Sequence, residues 1–199
     1  MTKFVSDAER EYALAFASAY VKSDDDYDEL FGKFPGCCFC GCTKKVFVLD
    51  ELANWVIKTD LFDLPYCQRE ADNYAAAMRE NLAEYFAATF FFAEVDGVKF
   101  YIQEALYCHD EFGDDLSCEI SNACFNYLRE SSSYEDDDEV WYAVEEMDDL
   151  DRVFALIPCA PSRIERFISC HEINDLHEGN FGRRGGEYVI MDFSGYGNL

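Results

Sequence analysis

The sequence predicts an α+β chain with a sheet-rich amino half and a helix-rich, acidic carboxy half. Three observations carry this. Phe90 to Val95 and Val98 to Gln103 flank Asp96-Gly97, a pair suited to the two-residue hairpin turn, where both central residues need positive φ. Lys45 to Leu49 and Asn54 to Thr59 form two further strand-like runs, joined by Asp50-Glu51-Leu52-Ala53. Residues 109–151 then carry 16 acidic residues and one basic one, Arg129, around helix-like apolar positions.

The remaining elements follow in chain order. Ser6 is a candidate N-cap with Glu9 three residues on, so a first helix is expected from Ser6 to about Val21, with Leu14, Ala17 and Val21 on one face. Asp24-Asp25-Asp26-Tyr27-Asp28-Glu29 is expected as a solvated loop. Pro65 opens a helix over Tyr66 to Leu82. In the acidic region, Ser131-Ser132-Ser133 and Glu135 to Glu139 are expected as an exposed loop between two helices. Leu150 to Ile157 and Ser162 to Cys170 are helix candidates separated by Pro158 and Pro161. Tyr188 to Phe193 is a short apolar strand after an Arg184-Gly185-Gly186 turn. There is no internal repeat.

The chain has 199 residues, half of them hydrophobic, which suits one globular domain or two small lobes. Its 41 acidic residues against 16 Lys plus Arg give a net charge of −25. Direct nucleic-acid binding needs clustered cations against phosphates and is excluded on this balance. Anionic membrane surfaces are excluded for the same reason. The longest apolar run, Tyr85 to Ala93, is nine residues, too short to span a bilayer. The amino terminus shows no apolar signal core before the acidic residues begin, so a cytoplasmic protein with its ten cysteines as reduced thiols is expected.

The stretch richest in chemistry is Asp175-Leu176-His177-Glu178-Gly179-Asn180, followed by Tyr188-Val189-Ile190-Met191-Asp192-Phe193. An Asp, an Asn five residues later and an Asp twelve residues beyond that, at the end of an apolar strand, resemble the catalytic loop and metal-binding Asp of the protein kinase-like phosphotransferases. The match is nearest the aminoglycoside phosphotransferase branch and kinase-like proteins of phages and mobile elements. Other parts of the chain fit the same resemblance in the same order over residues 36 to 194. Trp55-Val56-Ile57-Lys58 ends a strand, Glu70 lies on the next helix, and the Asp96-Gly97 hairpin leads into Gln103-Glu104-Ala105-Leu106.

The resemblance implies a two-lobed kinase-like fold, with residues 1–103 forming a helix and a small antiparallel sheet lobe. Residues 104–199 would form the hinge, the acidic helices and a minimal carboxy lobe. It implies ATP and Mg²⁺ as ligands. Lys58 would pair with the α and β phosphates and Glu70 would hold Lys58 by an ion pair. Asn180 and Asp192 would bind Mg²⁺, and Asp175 would accept or orient the acceptor hydroxyl proton. The Glu104 carbonyl and Leu106 amide would hold the adenine edge. Gly36 and Gly41, in Gly36-Cys37-Cys38-Phe39-Cys40-Gly41-Cys42, would supply the phosphate-covering loop, 22 residues ahead of Lys58 at its start and without the G-x-G-x-x-G pattern. Asn174 stands where the family usually has Arg, and Ser194 where it has the third residue of Asp-Phe-Gly. The chain ends six residues after Phe193, so no activation loop or peptide-docking helices are expected.

Other functions stay open on the residues alone. One is a catalytically inactive pseudokinase; another is an acidic, nucleic-acid-mimicking protein that occupies a basic partner. Cys37, Cys38, Cys40 and Cys42 invite a metal site, with Cys67, Cys108-His109 or Cys170-His171 as added ligands. Their spacing is not the C-x₂-C of zinc sites, and packing as small loop or core residues is preferred. His177 is expected to support the loop, and Arg183-Arg184 to form a hairpin turn or contact substrate anions.

Overall fold

Alternating apolar strands separated by turn residues build an antiparallel sheet in the amino half, and this sheet positions the first set of candidate residues. In the computed structural model, residues 5–23, 26–62, 64–107, 116–131, 134, 136–157 and 161–195 are described. The chain is α+β. It divides into two units, Met1–Ala75 with Ala88–Ala105, and Ala76–Ala87 with Leu106–Leu199.

The first unit begins with α1 (Asp7–Tyr20). Its predicted cap is present: the Glu9 amide donates to Ser6 Oγ at 3.3 Å and the Ser6 amide donates to Glu9 Oε2 at 2.8 Å. The acidic run is not all loop. Asp26 caps a short helix α2 (Tyr27–Lys33), accepting from the Glu29 amide, while Asp24 and Asp25 lie outside the described residues. Acidic side chains suit a helix N-terminus, where unpaired amides and the positive dipole end meet them.

Five strands follow: β1 (Gly36–Cys40), β2 (Lys44–Leu49), β3 (Trp55–Asp60), β4 (Thr89–Val95) and β5 (Val98–Glu104). They form one antiparallel sheet in the order β1-β2-β3-β5-β4, with α3 (Tyr66–Arg79) joining β3 to β4. Asp96 and Gly97 turn between β4 and β5 with φ of 49° and 83°, as a two-residue hairpin requires. Strand alternation sends Phe47 toward α1, where it meets Phe16 and Tyr20 edge-on at 5.0 Å. The opposite alternation places Tyr101 in a buried cluster with Cys67 and Ala71 of α3.

The second unit holds α4 (Ser117–Ser131), α5 (Asp137–Glu145), α6 (Asp149–Leu156), α7 (Pro161–Cys170) and the hairpin of β6 (Phe181–Arg184) with β7 (Glu187–Ile190). Phe86 packs at 5.1 Å from both Phe167 of α7 and Phe193, giving this unit an aromatic centre. Asp136 caps α5, so Asp137 to Glu139 form a helical first turn and not the predicted loop. Ser132, Ser133, Glu135, Cys108, His109 and Pro158 lie outside the described residues. The final turn is Gly185-Gly186, both at positive φ, which places Arg183 and Arg184 on β6 instead of in the turn. No helix among the described residues is long and apolar enough to cross a membrane.

Candidate functional site

Lys58 sits near the end of β3 on the sheet face that meets α3, and Glu70 lies one turn into that helix. Both are withdrawn from water, at 3% and 0% exposure. The Lys58 ammonium donates to Glu70 Oε2 at 2.8 Å and Oε1 at 3.1 Å. Gln103 of β5 completes the arrangement. Its Oε1 accepts from Lys58 at 3.0 Å, while its Nε2 donates at 2.8 Å to both Glu70 Oε1 and Thr89 Oγ1. A buried charge is tolerated only when paired and hydrogen-bonded, and every polar group named here is used.

A second lysine joins this pair. Lys44 of β2 is also buried, with Nζ 3.5 Å from Glu70 Oε2. Burial by itself pushes the Glu70 carboxyl upward, but Lys44, Lys58 and the hydrogen bonds from Lys58 and Gln103 outweigh it and hold it down to about 2. Lys44, Gln103 and Thr89 were not evident as site residues from the sequence. The signal was there only in part: a lysine opening an apolar strand. Which face it occupies depends on register, and Lys44 pairs with Asp60 across β2 and β3.

The second unit positions its candidates through the backbone. After α7 the chain turns at Glu172, φ 52°, and runs through Asp175, which is half-buried, to Leu176, which is fully buried. The buried Asn180 amide nitrogen donates to the carbonyls of Asp175 and Asp192, the latter at 3.3 Å. Because that nitrogen is spent on carbonyls, the amide oxygen is the atom Asn180 can offer a cation. The loop and the strand end are further joined by the Met191 amide donating to the Asn180 carbonyl at 2.7 Å. Asp192 adopts φ 54°, a left-handed backbone unusual outside glycine, immediately before the buried Phe193.

His177 supports this loop locally. Its Nδ1 accepts from the Gly179 amide at 3.1 Å, and a Cβ on Gly179 would lie 2.8 Å from the imidazole. Gly195, at φ 67°, passes so close to the Glu172 carbonyl that no side chain fits. Among the described residues no three His, Cys, Asp or Glu side chains group as a metal cage. Mg²⁺ commonly takes only one or two protein oxygens and completes its shell with water and substrate phosphate, so an Asn oxygen with an Asp carboxylate suits its chemistry.

The glycine segment differs from expectation. Residues 36–40 are strand β1 paired to β2 over Gly36↔Leu49 to Cys40↔Lys45, and only residues 41–43 turn. Gly36 is fitted to a close crossing of Val48 and Leu49, where a Cβ would strike the Val48 carbonyl. At Gly41 a Cβ would meet only the Lys44 carbonyl, at 3.7 Å.

Glu104 ends β5, buried, with its carboxylate accepting from the Ala88 amide at 3.4 Å. Leu106 packs where a Cβ on Gly182 would come within 2.7 Å of it. The arginines have structural partners: Arg184 donates to the carbonyls of Glu84 at 2.8 Å and Phe86 at 2.9 Å, and Arg183 pairs with Glu119 and lies 5.1 Å over the Tyr188 ring. Of the cysteine run, Cys37, Cys40 and Cys42 are exposed, neither core nor caged, whereas Cys67 and Cys124 are buried in the core. Cys38 and Cys40 share a strand face with sulfurs 4.0 Å apart, and burial first, then Cys40, pushes the Cys38 thiol up to about 12.

The chain matches no protein-family model, no curated protein and no solved structure.

Proposed function

We propose that this chain is a minimal kinase-like phosphotransferase that moves the γ-phosphoryl group of ATP to a hydroxyl on a protein or small molecule. The observation that carries this is the buried Lys58–Glu70 pair, a strand lysine held bidentately by a glutamate of the next helix. A five-stranded antiparallel sheet with its helix between the third and fourth strands supports a kinase-like amino lobe. A loop in which Asn180 ties Asp175 to Asp192 supports a catalytic loop beside a metal-binding Asp.

In this mechanism Glu70 holds Lys58 in place so that its Nζ can meet the α and β phosphates. Asn180 and Asp192 would hold Mg²⁺, which when bound neutralises phosphate charge. Asp175 accepts the proton of the acceptor hydroxyl as its oxygen bonds to the γ phosphorus. The bond from that phosphorus to the β–γ bridging oxygen breaks and ADP leaves with the electron pair. Exposed free thiols at Cys37, Cys40 and Cys42 suit a reducing, cytoplasmic setting.

The test is transfer of labelled γ-phosphate from Mg-ATP to water or to the chain itself, in the parent and in Asp175→Ala. Measurable transfer that falls by about a thousandfold in the variant supports the proposal, since a positioned base contributes roughly 10²–10⁴. Equal transfer in both would sink it. The ordinary conformation of the Gly41 turn favours a second function, a non-catalytic nucleotide or protein binder on the same fold. That protein would show no transfer while Asp175→Ala left its binding untouched.

A further inference from the structure

Cys37, Cys38, Cys40 and Cys42 crowd one edge of the first unit's sheet, and the fold separates them. β1 is the edge strand beside β2. Its alternation puts Cys38 and Cys40 on one face and Cys37 on the other, while Cys42 lies in the turn that follows. We infer that Cys38 and Cys40 bind one soft monovalent cation, copper(I), as a bis-thiolate. The inference is independent of phosphoryl transfer.

The two sulfurs stand 4.0 Å apart, with Cys40 exposed and Cys38 half-buried. A disulfide and a shared ion compete for such a pair, and distances decide between them. Residues two apart in a strand have Cα atoms roughly 6.6 Å apart, at the far end of the range a disulfide tolerates. An S–S bond of about 2.05 Å would also require the sulfurs to halve their separation. A shared ion asks for no such movement. With metal–thiolate bonds of about 2.3 Å, sulfurs 4.0 Å apart close on one ion at an angle of roughly 120°.

Ligand number then selects the ion. Thiolates favour copper(I), zinc and the iron of iron–sulfur clusters. Structural zinc and iron–sulfur clusters take four protein ligands, whereas among the described residues no three His, Cys, Asp or Glu side chains group together. Copper(I), a soft ion of low coordination number, is held by two thiolates alone. Charge agrees with this. Two thiolates and one copper(I) leave a single negative charge, and Lys45, directly across the strands from Cys40, carries a positive one. Its ammonium donates to the Tyr20 hydroxyl at 3.0 Å and lies 5.4 Å and 5.5 Å from the Tyr20 and Tyr27 rings. Loading displaces the thiol protons, including that of Cys38, whose thiol burial and Cys40 push up to about 12.

The probe is copper(I) itself, titrated without oxygen into the reduced chain against a chromogenic copper(I) chelator. The ultraviolet thiolate-to-copper band is read in parallel. The parent should withdraw one equivalent from the chelator. Cys38→Ser and Cys40→Ser, near-isosteric changes on an edge strand, should each weaken uptake by more than about a hundredfold, since even a group that only orients a ligand is worth about 10–100-fold. Cys37→Ser, on the opposite face, and Cys42→Ser, in the turn, should leave uptake unchanged. No uptake by the parent overturns the inference. So does uptake that ignores the Cys38 and Cys40 variants, or that falls as far with Cys37→Ser or Cys42→Ser.

Discussion

Glu70 on helix α3 of the first unit and Asp175 in the loop after α7 of the second are both carboxylates in the proposed site, yet they are held by different means. Glu70 has no exposure and is gripped side chain to side chain by Lys58, Lys44 and Gln103. Asp175 is half-buried and is fixed through its main-chain carbonyl, which accepts from Asn180. Under the proposed function the difference separates two duties. A charge locked among buried partners contributes to folding and cannot be removed quietly. A carboxylate whose backbone does the anchoring can be changed with little cost to the fold, which is what a reacting group requires.

Asp175→Ala should abolish transfer by about a thousandfold while changing stability by no more than about 0.5 kcal/mol, as measured by urea unfolding alongside the activity assay. A stability loss of several kcal/mol would instead make Asp175 a structural residue like Glu70.

From the first unit's side, Glu70→Gln leaves two buried ammoniums without their counter-charge and should cost about 3–5 kcal/mol in the same denaturation experiment. Lys58→Met should cost less, because Lys44 still faces the carboxylate at 3.5 Å. If the two substitutions cost the same, Lys44 does not share the charge.

Acid titration sharpens the contrast. Glu70 is held at about 2 against an ordinary value of 4.5, so its folded pKa is depressed. The stability it contributes is complete above about pH 4.5, declines as pH falls, and is gone by about pH 2, a span on the order of 3 kcal/mol. The stability gap between the parent and Glu70→Gln should therefore narrow below pH 4.5. A gap constant from pH 7 to pH 3 would contradict the charged pairing.

A smaller effect is expected at Asn180, which stands between the two modes. Asn180→Ala removes a buried amide from two carbonyls and should cost about 1–3 kcal/mol by thermal or urea unfolding.

The parts of this arrangement legible in the sequence are those fixed locally. Ser6 with Glu9 gives a helix start, and Asp96-Gly97 gives a hairpin, because each needs only neighbouring residues. Lys58 and Glu70 stand out only through the resemblance to the kinase-like pattern, a strand lysine followed by a helix glutamate, and neither has a local signal of its own. Strand β1 was not legible: Cys37 to Cys40 shows no alternation of apolar and polar residues, since as an edge strand it buries neither face well. Helix α2 was hidden in an acidic run whose charges serve its N-terminus. The partners chosen by long-range register, Lys44 and Gln103 at Glu70, and Glu84, Phe86 and Glu119 at the arginines, have no local signal at all.

Nucleotide binding by the proposed site is read from thermal unfolding with and without Mg-ATP, using the parent, Asp192→Asn and Lys58→Met. Ligand at about a hundred times its dissociation constant should stabilise the parent by roughly 2.7 kcal/mol. A magnesium-dependent rise in the parent midpoint is expected, lost in Asp192→Asn and strongly reduced in Lys58→Met, each compared with its own unliganded midpoint. No rise in the parent at millimolar Mg-ATP, or an equal rise in all three proteins, would contradict it.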